Sequence, residues 1–180
     1  MTLLQLLEVD APRPRRDEDG AVVLEWWISH QCPDSRDSAA IVRSLEASYP
    51  DRMRVRVRSF PLVHQLWAAA GAQMQEEANA QGRGTRFAVE VLEQGADISG
   101  MDALLDCAAA AGLAPATMSA ALADGRHAAD VKAGYDEARA LGIVGTPSFC
   151  VDGLLVGAGK TLVGCEQVLA ERIAAALGMP

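Results

Sequence analysis

Trp26-Trp27-Ile28-Ser29-His30-Gln31-Cys32-Pro33-Asp34-Ser35 is where an apolar run stops and a helical pattern begins, with a thiol at the junction. Orphan backbone N–H groups and the helix dipole at such a terminus favour a thiolate, which is the nucleophilic form of cysteine. Pro33 suits the first helical position because no N–H partner is needed there. The fourth position of the motif holds Ser35 rather than a second Cys. The stretch therefore reads as a disulfide-exchange site with one of its two sulfurs missing.

Upstream, Ala21-Val22-Val23-Leu24-Glu25-Trp26-Trp27-Ile28 is β-branched and aromatic, and it predicts a buried central strand. Downstream, Ile41, Val42, Leu45 and Tyr49 recur at helical spacing, and Pro50 closes the segment. Residues 52–60 then alternate apolar residues with Arg52, Arg54, Arg56 and Arg58, which predicts a strand with one buried face. Strand, helix and strand in that order suggest a βαβ unit with the thiol at the carboxyl end of its first strand, where α/β sheets place ligands.

From Leu62 to Leu141 the chain turns rich in Ala, Glu and Gln. Four or five short helices are expected there, with spans 62–81, 85–94, 100–111, 115–123 and 127–141. They form either an independent bundle or a cap over the sheet. The β pattern returns at Ser148-Phe149-Cys150-Val151, followed by Asp152-Gly153 and Leu154-Leu155-Val156-Gly157, which predicts a hairpin. Leu162 to Leu177 predicts a closing helix.

Composition narrows the function classes. Half of the 180 residues are apolar, enough for a real core, and a net charge of −8 with pI near 4.8 speaks against nucleic acid. Residues 10–20, with Arg13, Arg15 and Arg16 followed by Asp17, Glu18 and Asp19, read as a solvated connector. Neither a secretory leader nor a membrane-spanning stretch is expected, and the default location is cytoplasmic. Cys32, Cys107, Cys150 and Cys165 contain no close pair, so no metal site is expected; Cys107 and Cys150 read as buried small hydrophobes. Gly157-Ala158-Gly159-Lys160-Thr161 fails both the phosphate-loop and the dinucleotide patterns for want of further glycines. Trp26, Trp27 and Trp67 read as packing residues, and His64 as a surface or capping residue, with substrate contact as the alternative.

Gly142-Ile143-Val144-Gly145-Thr146-Pro147-Ser148-Phe149 resembles the Gly-Thr-Pro segment of thioredoxin-fold proteins, whose Pro is cis and faces the reactive Cys. With the Cys-Pro motif, the Phe60-Pro61-Leu62 strand end and the helical block between, the chain resembles the DsbA family over roughly residues 20–178. The resemblance implies an α/β, thioredoxin-like fold with an inserted α-helical domain. Residues 1–20 would be an N-terminal extension, 21–61 and 142–180 the thioredoxin-like domain, and 62–141 the insert. It further implies Cys32 and Ser35 as catalytic positions, with Pro33, Asp34, Thr146 and Pro147 contacting substrate.

Ser35 departs from the family, in which a second Cys resolves the mixed disulfide. What remains is monothiol exchange on protein or peptide disulfides, or isomerisation, with glutathione or another small thiol as co-substrate and no other cofactor. Arg36 and His30 are expected to favour the Cys32 thiolate and Asp34 to oppose it. Ser35 either donates its O–H to the thiolate or caps the helix. Cys165 is a candidate resolving thiol from outside the motif. Two other readings stay open: the kappa-class glutathione transferase and hydroxychromene-carboxylate isomerase branch, which uses Ser where Cys32 stands, and a non-catalytic binding module. The oligomeric state is left open.

Overall fold

The computed structural model describes residues 16–17, 19–95, 98–158 and 162–179. Most of the connector expected over residues 10–20, and the end of the 157–161 loop, lie outside them. The described chain runs β1 Val22–Ile28, α1 Pro33–Ser48, β2 Met53–Ser59, α2 Ala68–Ala80, α3 Gly84–Gln94, α4 Met101–Ala110, α5 Pro115–Ala123, α6 Ala128–Ala140, β3 Ser148–Val151, β4 Leu154–Ala158 and α7 Cys165–Ala176.

The four strands form one sheet in the order β2-β1-β3-β4. β1 is parallel to β2, with Val22 opposite Met53 and Ile28 opposite Ser59, and antiparallel to β3, with Trp26 opposite Phe149. The hairpin turn between β3 and β4 places Asp152 at φ 52° and Gly153 at φ 84°, the conformation for which Asp-Gly is selected.

Alternation along β1 sends its residues to two different cores. Val22, Leu24, Trp26 and Ile28 pack with Ile41, Val42 and Leu45 of α1, Phe149 and Val151 of β3, and Leu169 and Ile173 of α7. Trp27, on the opposite face, packs with Phe60, Ala138, Leu141, Ile143 and Cys150. A third core lies among the helices, where Met74, Phe87, Val91, Leu104, Cys107 and Met118 meet. Ala88 and Leu92 of α3 belong to the core around α1, so the helical block is packed against the sheet layer rather than standing apart. None of the described helices is long and apolar enough to cross a membrane.

One expected boundary moves. The helix anticipated from residue 62 begins at Ala68, because residues 62–67 are held as a loop by side chains from the end of β1. The Leu62 N–H donates to Ser29 Oγ, Ser29 Oγ–H to Gln65 Oε1, and the Trp67 N–H to Gln31 Oε1. Those backbone donors are spent on side-chain acceptors, and side chains that bond to the backbone compete with helix formation.

Candidate thiol site

β1 ends in a turn, Ser29-His30-Gln31-Cys32, closed by the Cys32 N–H donating to Ser29 O at 3.0 Å. Cys32 is the N-cap of α1, in extended backbone at φ −87° and ψ 121°, with Pro33 starting the helix. No side chain caps this terminus, so its orphan N–H groups are left to whatever negative charge forms at the thiol. Cys32 is 8% exposed, and its Sγ–H donates to Thr146 O at 3.5 Å. The Thr146–Pro147 peptide is cis, and both residues are buried. Thr146 Oγ1 is buried without a hydrogen-bond partner. Pro33 and Asp34 are exposed on the first turn of α1.

Ser35 sits one turn further along α1 and is fully buried. It does not cap the helix: its Oγ accepts the Ser29 N–H at 3.4 Å, and its carbonyl accepts Ser38 Oγ–H at 2.6 Å. Ser38 Oγ in turn accepts the Trp26 indole N–H at 2.9 Å. The motif's fourth position thus ties the start of α1 back to β1.

The charged helpers expected from the sequence act differently. His30 is buried and its pKa is pushed down to about 4 by desolvation, against the raising effect of its hydrogen bond to Gln75 Oε1, so the ring is neutral near pH 7. It therefore supplies no cation. Arg36 lies across the backbone of Gly95 and faces Asp37 at 3.9 Å. Its guanidinium thus has a carboxylate and the Gly95 backbone as neighbours.

The residues missed by sequence reading are glutamines. Gln31 accepts the Trp67 N–H at 2.9 Å and donates to Ile98 O at 3.5 Å; Gln65 receives Ser29 Oγ–H; Gln75 meets His30 Nε2 at 3.1 Å. Every residue of the turn before Cys32 is thereby anchored in the 62–67 loop or the helical block. Gln65 and Gln75 lie in an Ala- and Gln-rich segment and carry no periodic signal that would mark them. His64 is exposed, and around it Val63 and Leu66 are 96% and 85% exposed. Val144, ahead of the cis peptide, is 70% exposed.

Cys107 and Cys150 are buried, Cys165 is half-buried at the start of α7, and none of the four cysteines is joined in a disulfide. Burial pushes the Cys165 thiol up to about 11, and burial with Glu90 and Asp106 nearby does the same for Cys107.

Several solved structures share this architecture. A thioredoxin-like oxidoreductase from Silicibacter pomeroyi DSS-3 gives a TM-score of 0.69 at 23% identity, covering 95% of this chain and 94% of its own. Oxidised BdbD from Bacillus subtilis gives 0.77 at 16% identity, covering 96% and 98%. The oxidoreductase DsbA from Xylella fastidiosa gives 0.71 at 17% identity, covering 92% and 91%. No curated protein matches the chain in sequence. Identities this low speak for the fold alone. The family model described as a DSBA-like thioredoxin domain matches residues 23–170, from the first strand into the last helix. A match of that extent decides the membership: the chain belongs to the DSBA-like thioredoxin domain family.

Proposed function

We propose that this protein is a monothiol thiol–disulfide oxidoreductase or isomerase in which Cys32 forms and relieves mixed disulfides with the help of an external thiol. The observation that carries the reading is the meeting of Cys32 Sγ, at an uncapped helix N-terminus, with the carbonyl of Thr146, while a buried Ser35 stands where a resolving sulfur would be. In the forward step the Cys32 thiolate attacks one sulfur of a substrate disulfide. A Cys32–S–S bond forms, the substrate S–S bond breaks, and the other sulfur leaves as a thiolate that takes up a proton. A small thiolate, with glutathione as the co-substrate class, then attacks the mixed disulfide and regenerates the Cys32 thiolate. A mixed disulfide of peptide and glutathione is thus exchanged for a free peptide thiol and oxidised glutathione.

Two features support polypeptide substrates. Val63 and Leu66 project from the loop tethered to the Ser29–Cys32 turn, and Val144 from the segment leading into Pro147, giving the site an apolar rim. Thr146 and Pro147, buried beside the thiol, are the proposed substrate-contact residues, with Pro33 and Asp34 on the exposed side. Dependence on a small reducing thiol fits a reducing, cytoplasmic setting.

The test is turnover of a glutathionylated peptide with glutathione supplied and oxidised glutathione measured. Cys32→Ser is expected to abolish turnover, while Cys165→Ser leaves it unchanged. Equal turnover by Cys32→Ser and the wild type overturns the reading.

A further inference from the structure

His30 precedes the thiol by two residues and is 2% exposed, yet it is a ring whose protons must be accounted for. The ring stands between Gln75 and Gly71 of α2 and Phe87 of α3, whose ring centroid is 6.0 Å away. None of these is charged. Near it in the chain the ionisable groups are Cys32 and, on the first turn of α1, the exposed Asp34 and Arg36. Among the described residues His30 makes no ion pair.

Two backbone carbonyls decide which ring nitrogen carries the proton. Gly84 O can only accept, so the Gln75 atom 3.0 Å from it is the amide nitrogen. Val57 O can only accept, so the Asn79 atom 3.1 Å from it is likewise nitrogen. Asn79 Oδ1 is then the acceptor of the second Gln75 N–H, at 3.1 Å. Both hydrogens of the Gln75 amide are spent, and its Oε1 faces His30 Nε2 at 3.1 Å as an acceptor. A contact between these two atoms requires the proton to sit on Nε2.

We propose that Gln75 is a positioning residue for the thiol site: it fixes His30 as the neutral Nε2–H imidazole and so holds the turn that presents Cys32 without placing a charge beside it. The inference rests on the reading of Cys32 as the exchanging thiol. Desolvation of His30, which pushes its pKa down to about 4, acts in the same direction. A ring kept neutral from pH 5 upward leaves the pH dependence of exchange to the thiol's own proton, and the helix N-terminus as the local source of positive potential.

The experiment uses the full-length protein. Long-range ¹⁵N–¹H correlation spectra of wild-type His30 are expected to show protonated Nε2 and bare Nδ1, unchanged between pH 8 and pH 5. A wild-type ring protonated on Nδ1, or titrating between pH 6 and pH 7, overturns the proposal without any variant. In Gln75→Glu, a carboxylate faces Nε2, and His30 is expected to titrate within pH 5–8. The pH profile of Cys32 alkylation by iodoacetamide should gain a second inflection at the same pH. Gln75→Met, which keeps the volume and removes the acceptor, is expected to lose the tautomer preference. If Gln75→Glu makes His30 titrate and the Cys32 profile keeps a single inflection, the positioning role is refuted. Absence of peptide turnover by the wild type would refute the exchange function, whereas the tautomer and titration of His30 are read from the spectra independently of turnover.

Discussion

Replacing Glu77 with Gln tests an ion pair that joins α2 to the turn between α5 and α6. Glu77 Oε2 accepts from His127 Nε2 at 2.8 Å and faces Arg126 at 3.6 Å, while His127 Nδ1 meets Asp130 Oδ2 at 3.2 Å. The side chains of Glu77 and His127 are 9% and 15% exposed, so water screens the pair weakly. The hydrogen bond to His127 is the main cause holding the Glu77 carboxyl below its usual 4.5. Burial opposes charging of His127, and the bonds to Glu77 and Asp130 outweigh it, raising the ring above 6.5. A raised His contributes fully below its unfolded value and loses the contribution as pH rises through the folded one. A depressed Glu contributes above its unfolded value and loses it as pH falls through the folded one. The pair is therefore complete between about pH 4.5 and 6.5. A charge-assisted hydrogen bond of this burial is worth about 2 kcal/mol, which is ~4–8 °C in melting temperature for a chain of this size. Thermal melts of wild type, Glu77→Gln, His127→Gln and the double variant should give that coupling at pH 5.5 and a smaller one at pH 9. An equal coupling at the two pH values would refute the charge-based reasoning.

Ser35→Cys places a second sulfur one helical turn after Cys32 in a buried position, and the variant should close an internal disulfide in an oxidising glutathione buffer and then oxidise a reduced peptide one to one. Mass spectrometry showing both thiols free, with Cys32 accessible to alkylation, would contradict this. Cys107 and Cys165, pushed up to about 11, hold on the order of 0.1% thiolate at pH 8. Iodoacetamide should modify both slowly at pH 8 and faster on raising the pH to 10; labelling of either as fast as Cys32 at pH 7 would sink the assignment. Gly84→Ala would bring its Cβ within 2.0 Å of Asn79 Oδ1. The resulting break in the Gln75–Asn79 link should cost about 1–3 kcal/mol in urea unfolding, and an unchanged midpoint would refute the close contact.

The β1-α1-β2 order and the β3-β4 hairpin are legible in the sequence because alternation, an Asp-Gly pair and prolines at element ends act locally. The Cys32 N-cap is legible for the same reason: Pro33 tolerates the first helical position and little else within a helix. The start of α2 is not, because the N–H groups of Leu62 and Trp67, at the two ends of the loop, are claimed by Ser29 and Gln31, which are remote in sequence. The charges of the site escape the sequence from the same cause. His30 beside Cys32 suggests a cation, and only the burial of the ring among Gly71, Gln75 and Phe87 makes it neutral. Arg36 suggests another, and its packing against the Gly95 backbone, at the end of a helix remote in sequence, is equally invisible to local pattern. The pairing of Glu77 with His127 depends on where α5 and α6 return, which no local pattern reveals.

The neighbours Trp26 and Trp27 face opposite sides of one strand, and this gives the molecule two built-in optical reporters. Trp26, bonded through its indole N–H to Ser38, senses the α1 layer, whereas Trp27 lies in the layer that holds Leu141 and Ile143, with the Arg58 guanidinium 4.8 Å from its ring. Trp67 donates its backbone N–H to Gln31 and so stands on the loop that flanks the thiol. Variants keeping one indole at a time would let fluorescence follow each layer, and the loop beside Cys32, as three separate signals during unfolding or mixed-disulfide formation.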